Sequence, residues 1–508
     1  MKSKLQLAVI LLIIGAGCSS PETSDQPNVI FILADDLGYA ELGSYGQELI
    51  ETPNLDTLAA HGMRFTQFYA GAPVCAPSRC TLLTGQHPGH AYIRGNDEMA
   101  EKGDVWNFEK ANADPHLEGQ RPLPDSLETI GDMLQKVGYK TGIVGKWGLG
   151  GPTSNSIPTT KGFDFFYGYN CQRQAHQLYP MHLWKNTEKV MLNNELVPPH
   201  TKLDSGADLY DQQSYKAYFQ QDYAPALMQK EALNFIDQNK SEPFFLYYAT
   251  PLTHVPLQVP QKYIDYYVGK FGDEKPYAGN AGYFPTRYPR ATYAAMVTYL
   301  DEQVGELVKK LKDLGIYENT LIIFTSDNGP SYAGGTDSPY FDSAKPFKSE
   351  RGWSKGFVHE GGIRVPMIAT WEGKILPGTT SDLMVAFWDV MPTLAELTGT
   401  DVPHSTDGIS FLPELLGDQN QSTHAFLYWE FPAAGGQQAV RMGKWKGIRK
   451  NLKQRETNLL LFDLESDPQE QNDVSGQYPD VVTKILEIMQ NEHETPAVSK
   501  FLIPVLEE

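Results

Sequence analysis

A chain of 508 residues exceeds what one hydrophobic core usually fills, since cores stop growing near ~250–300 residues, so two lobes are expected. With 41% hydrophobic and 20% charged residues, the composition excludes a disordered or collagen-like protein. Lys and Arg number 42 against 62 Asp and Glu, and the net charge of −20 argues against nucleic acid as the main partner, although a few cations converging in one cleft still suit an anionic substrate.

The chain opens with Met1-Lys2-Ser3-Lys4, an apolar run from Leu5 to Ile14, and Gly15-Ala16-Gly17-Cys18-Ser19-Ser20. A basic start, a short apolar run and small residues form an export signal, too short for a membrane-spanning helix. Cys18 after small residues resembles a bacterial lipobox, with Gly15 where that pattern usually has leucine. The expectation is an exported protein, either a periplasmic or outer-membrane-anchored lipoprotein attached through Cys18 or a soluble periplasmic form. Residues 1–26 are read as signal and tether, 27–410 as a large α/β domain and 411–508 as a smaller α+β subdomain.

Five short apolar runs are bounded by turns: Val29 to Leu33, Thr141 to Val144, Phe244 to Ala249, Leu321 to Thr325 and Met367 to Trp371. Their composition predicts buried parallel strands. Helical spacing lies between them, at Thr52-Pro53 with Leu55 and Leu58, at Asp125-Ser126-Leu127-Glu128 read as a capping box before Ile130, Leu134 and Val137, and at Leu300, Val304, Leu307 and Leu311. Alternating strands and helices predict a mostly parallel sheet with helices on both faces. Beyond Phe411, runs at Ala425 to Trp429, Trp445 to Ile448 and Leu459 to Asp463, then a helix from Asp480 to Glu492, predict a small antiparallel sheet with one helix. Two segments of weak periodicity, Glu101 to Gln120 and Asp265 to Pro289, suit a substrate rim.

Two of the strands run into polar pairs, Asp35-Asp36 and Asp327-Asn328. Ligands of parallel sheets gather outside the carboxyl ends of the strands, and three carboxylates with one amide oxygen there would repel one another without a cation. An all-oxygen set suits Ca²⁺, with Mg²⁺ second, better than zinc. The four cysteines are Cys18, Cys75, Cys80 and Cys171, and pairing of Cys80 with Cys171 is left open. Cys75-Ala76-Pro77-Ser78-Arg79, extended through Thr84-Gly85, is the most distinctive run in the chain.

That run resembles the signature of the type I, formylglycine-dependent sulfatases, a branch of the alkaline-phosphatase-like superfamily. Asn28 to Gly38, Gly145-Lys146-Trp147, Thr253-His254-Val255-Pro256-Leu257, Lys355-Gly356 with Glu360 to Pro366, and Asp463 to Glu470 match further family segments. The resemblance implies that a maturation enzyme oxidises Cys75 to formylglycine, whose hydrate attacks the sulfur of a sulfate ester. It implies that Asp35, Asp36, Asp327, Asn328 and the modified Cys75 hold one calcium, that Lys146 and Lys355 bind sulfate oxygens, that Arg79 positions the hydrate, and that His254 protonates the leaving oxygen. Arg94, Asn96, Arg173 and His176 are candidate sugar contacts. One departure stands out: the family has a histidine after Gly-Lys-Trp, and this chain has Gly148. The reading is a sulfatase acting on a sulfated polysaccharide or its oligosaccharides. The alternatives are a phosphodiesterase or phosphonate monoester hydrolase of the same superfamily, and a glycan-binding lipoprotein without catalysis.

Overall fold

The computed structural model describes residues 26–508, so the signal sequence and Cys18 lie outside the described residues. Strands β1 (Asn28–Ala34), β2 (Lys140–Lys146), β3 (Phe244–Ala249), β4 (Thr320–Ser326) and β5 (Met367–Thr370) occupy the middle of a ten-stranded sheet in the order β5-β4-β1-β3-β2. The first four run parallel to one another. Strand β5 corrects the sequence reading: it runs antiparallel to β4, with Met367 opposite Thr325. The chain leaving β4 stays at the carboxyl end of the sheet and enters β5 from there, with no crossover to return it to the other end.

The middle of each of these strands is apolar because both faces are covered. On β1, Val29, Phe31 and Leu33 face one core with Ile143, Phe245, Leu321 and Leu394. Ile30 and Ile32 face the other, with Val144, Leu246, Leu300 and Leu307. That is the period-two alternation of a strand with two apolar sides. Helix α1 (Cys75–Thr84) is buried along its whole length. Helix α2 (Ile130–Lys136) is capped by Thr129 and not by Asp125. The Thr129 hydroxyl accepts from the Gly131 amide at 3.0 Å, and Asp132 accepts from the Thr129 amide at 2.8 Å. Both boxes fit the sequence, but only the later one abuts Ile130. Helix α3 (Pro289–Asp313) buries Leu300, Val304, Leu307 and Leu311, as their spacing requires. The segment expected to be irregular from Asp265 opens inside a helix spanning Gln261–Phe271.

The large lobe's core keeps the chain as far as Phe411 and Leu415. Beyond it, β6 (Leu427–Phe431), β7 (Gln437–Met442), β8 (Trp445–Arg449) and β9 (Leu460–Asp463) form an antiparallel sheet in that order, covered by Ile485 and Met489 of helix α4 (Pro479–Asn491). Strand β7 escapes a sequence reading because it opens with Gln437 and Gln438, yet both are buried.

The lobes meet through Trp388 and Trp429, each about 1% exposed or less. Burial of such side chains contributes roughly 1.5–3 kcal/mol each. Charge crosses the same seam. Lys446 on β8 donates to Glu360 at 2.7 Å with neither side chain exposed, and Glu360 also accepts from Tyr69 at 2.8 Å and Arg364 at 3.1 Å. Burial works against the Glu360 carboxylate, but Lys446, Arg364 and Arg441 hold its pKa down at about 2. A buried ion pair broken on one side leaves the other charge uncompensated. Lys446→Met is therefore expected to cost about 3 kcal/mol of stability in urea denaturation. A loss below half a kcal/mol would show that the two arginines suffice.

Candidate active site

Adjacent parallel strands bring the site together. Ala34 of β1 lies opposite Ser326 of β4, so Asp35 and Asp327 emerge side by side. Asp36 takes a left-handed backbone conformation with φ of 66°, which aspartate tolerates better than most residues. The turn keeps Asp36 in the same cluster as Asp35, although consecutive residues of a strand face opposite ways. The Asp36 amide donates to the Asp327 carboxylate at 3.2 Å and the Leu37 amide to the Ser326 hydroxyl at 2.8 Å, locking the two strand ends together. Strand β2 ends on Lys146, and the loop after β3 carries His254. Helix α1 contributes Cys75 at its first position and Arg79 one turn later, on the same face. Asn96 accepts from the Ala76 amide at 3.2 Å and steadies that helix start.

Three buried carboxylates face the buried cations Lys146 and Arg79 and the part-buried Lys355. Lys146 donates to Asp35 at 2.5 Å, and Lys355 donates to both oxygens of Asp36 at 2.6 and 2.7 Å. Arg79 grips Asp327 through Nε at 3.1 Å and Nη2 at 2.9 Å, and gives Nη1 to the Lys146 carbonyl at 2.7 Å. The Cys75 sulfur sits at the centre, 3.4 Å from Asp35 and 3.8 Å from Lys355. Asn328 donates to Asp36 at 2.8 Å, while its Oδ1 is buried with no partner. A buried acceptor left unpaired is costly, and a cation bound among these carboxylates would satisfy it.

Titration behaviour follows from this packing. Burial works against it, but the Lys146 and Arg79 charges hold Asp35 well below the usual carboxylate range. Burial raises Asp36 against the pull of Lys355, and burial with the Asp35 charge beside it pushes Asp327 up to about 6. Burial and the neighbouring Asp327 and Asp35 push the Cys75 thiol well above its ordinary value, so the unmodified side chain is a neutral thiol. Burial and Lys355 lower His254 far below its usual range. Its Nδ1 proton goes to the Val255 carbonyl at 2.5 Å, which leaves Nε2 facing Asp36 at 3.7 Å.

The candidate sugar contacts divide. The ring of His176 lies 5.4 Å from that of His254 and within 12° of parallel, and its Nδ1 is buried without a partner. Arg173 is only 1% exposed and is spent on Glu98 at 3.1 Å and the Leu117 carbonyl at 2.7 Å. Arg94 turns to the small lobe, donating to Glu430 and the Glu494 carbonyl, each at 2.7 Å. Cys80 and Cys171 are both free, so no bridge joins them. The region of Gly148 holds what sequence reading misses. Its φ is +80°, and a Cβ there would stand 3.2 Å from Gln172 Oε1 and 3.4 Å from Gln120 Oε1. Two glutamine amides thus line the space where the family pattern has an imidazole, and Gln172 Oε1 is buried without a partner. Gln172 stands inside the run from Cys171 to His176 that supplies two candidate sugar contacts, but an uncharged amide carries no signal in one sequence.

A family model described as Sulfatase matches residues 27–400, and one described as N-sulphoglucosamine sulphohydrolase, C-terminal, matches 349–495. The chain is 31% identical to arylsulfatase A of Homo sapiens over 522 aligned residues, covering 95% of this chain and 89% of that one. It is 28% identical to N-acetylgalactosamine-6-sulfatase of Homo sapiens, covering 94% and 88%. Among solved structures, Ps i-CgsB superposes with a TM-score of 0.71 at 28% identity over 93% of this chain and 94% of that one, and has also been solved with k-i-k-neocarrahexaose.

The left-handed backbone at Gly148 makes a direct prediction. Gly148→Ala is expected to lose about 1–2 kcal/mol of stability, with Gly148→Asn, which tolerates that region, losing less. Urea denaturation of the two variants checks the order, and equal losses would point to the crowding at Gln172 instead.

Proposed function

We propose that this chain, which belongs to the sulfatase family and is a sulfuric ester hydrolase, acts on sulfated sugars through a formylglycine made from Cys75 and a bound calcium ion. One observation carries the reading: the Cys75 sulfur is buried at a helix start, 3.4 Å from Asp35 and 3.8 Å from Lys355, beside an unpartnered Asn328 oxygen. The donor set of Asp35, Asp36, Asp327 and Asn328 fits a hard divalent cation, and its oxygen-only character favours Ca²⁺ over zinc. When present, the cation supplies Lewis acidity and the formylglycine supplies the nucleophilic hydroxyl. The carbohydrate assignment is supported by the similarity to N-acetylgalactosamine-6-sulfatase and to the structure solved with k-i-k-neocarrahexaose.

The roles of the chain's own residues follow from charge and reach. An ammonium carries three N–H donors, so Lys146, with one given to Asp35, keeps two for sulfate oxygens, and Lys355, with two given to Asp36, keeps the one now turned to the Cys75 sulfur. Charge on those oxygens grows as the S–O bond breaks, so fixed cations stabilise the transition state more than the ground state. Arg79, fully buried and bidentate on Asp327, holds the carboxylate frame against the main chain of Lys146. His254 meets the leaving oxygen. At rest it is neutral with its proton on Nδ1, so it must take up a second proton at Nε2 before it donates, and a bound sulfate ester favours that uptake by adding negative charge. Gln172 offers an amide oxygen beside Gly148, which accepts a hydroxyl proton but does not titrate. Export and lipid attachment at Cys18 are part of the same proposal and rest on the sequence of the first twenty residues.

Two experiments test this. Peptide mass spectrometry of protein made with a maturation system should find Cys75 as formylglycine, and chelation should abolish turnover until calcium is returned. Unmodified Cys75 in fully active protein, or full activity without metal, overturns the proposal. The second concerns leaving groups, because a sugar alkoxide needs a proton and a nitrophenolate hardly does. His254→Ala is expected to slow sulfated sugars by ~10²–10⁴-fold and nitrophenyl sulfate far less. Lys355→Ala should slow both alike. Equal losses for His254→Ala would assign that histidine to sulfate positioning.

A further inference from the structure

The catalytic cluster ends at His254, but the line of rings that begins there does not. The His176 ring lies nearly parallel to that of His254 at 5.4 Å, and the Trp106 indole comes next at 6.0 Å, inclined by 33°. Trp106 belongs to the weakly periodic segment Glu101 to Gln120 and is 49% exposed. Single exposed apolar residues are common and need no function. This one is built in. The Arg173 guanidinium lies 5.6 Å from the centre of its ring, and Arg173 is itself fixed by Glu98 at 3.1 Å and the Leu117 carbonyl at 2.7 Å. The indole is thus held by buried structure while about half of it stays open to solvent.

We propose that Trp106 is a stacking platform for a second sugar ring, the one linked to the sulfated ring, so that the protein recognises a chain and not a single sugar. The inference rests on the carbohydrate reading of the active site. If His254 meets the leaving oxygen, the sugar that carries this oxygen lies on the His254 side of the sulfate, and its neighbour extends along His176 towards Trp106. The C–H face of a pyranose is apolar and flat enough to pack on an indole, while its rim of hydroxyls needs hydrogen-bond partners. Trp106 supplies a broad face that loses little entropy on binding. Arg173 and Glu98 then act as positioning residues for the platform and not as sugar contacts.

The test compares chain lengths on formylglycine-bearing, calcium-loaded protein. Sulfated galactose and N-acetylgalactosamine serve as single rings, and k-i-k-neocarrahexaose with sulfated oligosaccharides of the same sugars serve as chains, with sulfate release as readout. In Trp106→Ala the ratio of kcat/KM for a chain to that for its single ring is expected to fall about 10-fold, the loss appearing in KM, while Trp106→Phe keeps most of the ratio. A ratio equal to wild type in Trp106→Ala overturns the platform. So does a loss of the same size on single rings and chains. A wild type that hydrolyses nitrophenyl sulfate but none of these sugars overturns the carbohydrate reading and the platform with it.

Discussion

The structure depends on the side-by-side pairing of β1 and β4. Two apolar strands in parallel register end on the same line, and each runs directly into an aspartate. Fully buried carboxylates at such close quarters cannot persist without opposite charge, and the fold answers with Lys146 from the end of β2, Arg79 from helix α1 and Lys355 from the loop after β4. Each cation comes from a different element, so the placement of the sheet, the helix and the loop is tied to one electrostatic requirement. Removing any one of these charged side chains would leave a buried charge unpaired, a loss larger than that of an ordinary surface ion pair.

Much of this is legible in the sequence, for physical reasons. A strand buried on both faces must be an unbroken apolar run, so β1, β3 and β4 announce themselves, and the polar pairs at two of their ends point to the sheet's carboxyl edge. Lysines and histidines carry no such mark. Lys146, His254 and Lys355 stand out only through their flanking residues, because a charged side chain reads the same at the surface and in a buried cluster. The direction of β5 is hidden because apolar run length says nothing about which end the chain enters. Arg94 and Arg173 look like pocket residues in the sequence, yet both are consumed in internal pairs, Arg94 with Glu430 across the lobe seam and Arg173 with Glu98 beneath Trp106. Spacing along the chain does not reveal which carboxylate reaches an arginine first.

Gly148 shows how a departure from a family pattern can be structural and not a defect. With φ at +80° the backbone there favours glycine, and the neighbouring volume is filled by Gln172 and Gln120. The two amides beside it offer hydrogen-bonding capacity and no proton transfer.

The small lobe adds one more constraint. Immediately after Lys355, the chain is tied to β7: Gln437 donates to the Gly356 carbonyl at 2.9 Å and accepts from the Val358 amide at 3.2 Å. Two residues further on, Glu360 is anchored by Lys446 of β8. The loop that presents an ammonium to Asp36 is therefore moored on both lobes, for the Lys355 and Gly356 amides donate to the Pro330 and Pro73 carbonyls at 3.2 and 2.8 Å. A chain ending before β6 would retain every residue of the buried charge cluster in its sequence and still lack the small lobe's share of that mooring. The anion site is in that sense bipartite, and drift in the small lobe's strands is drift in its geometry.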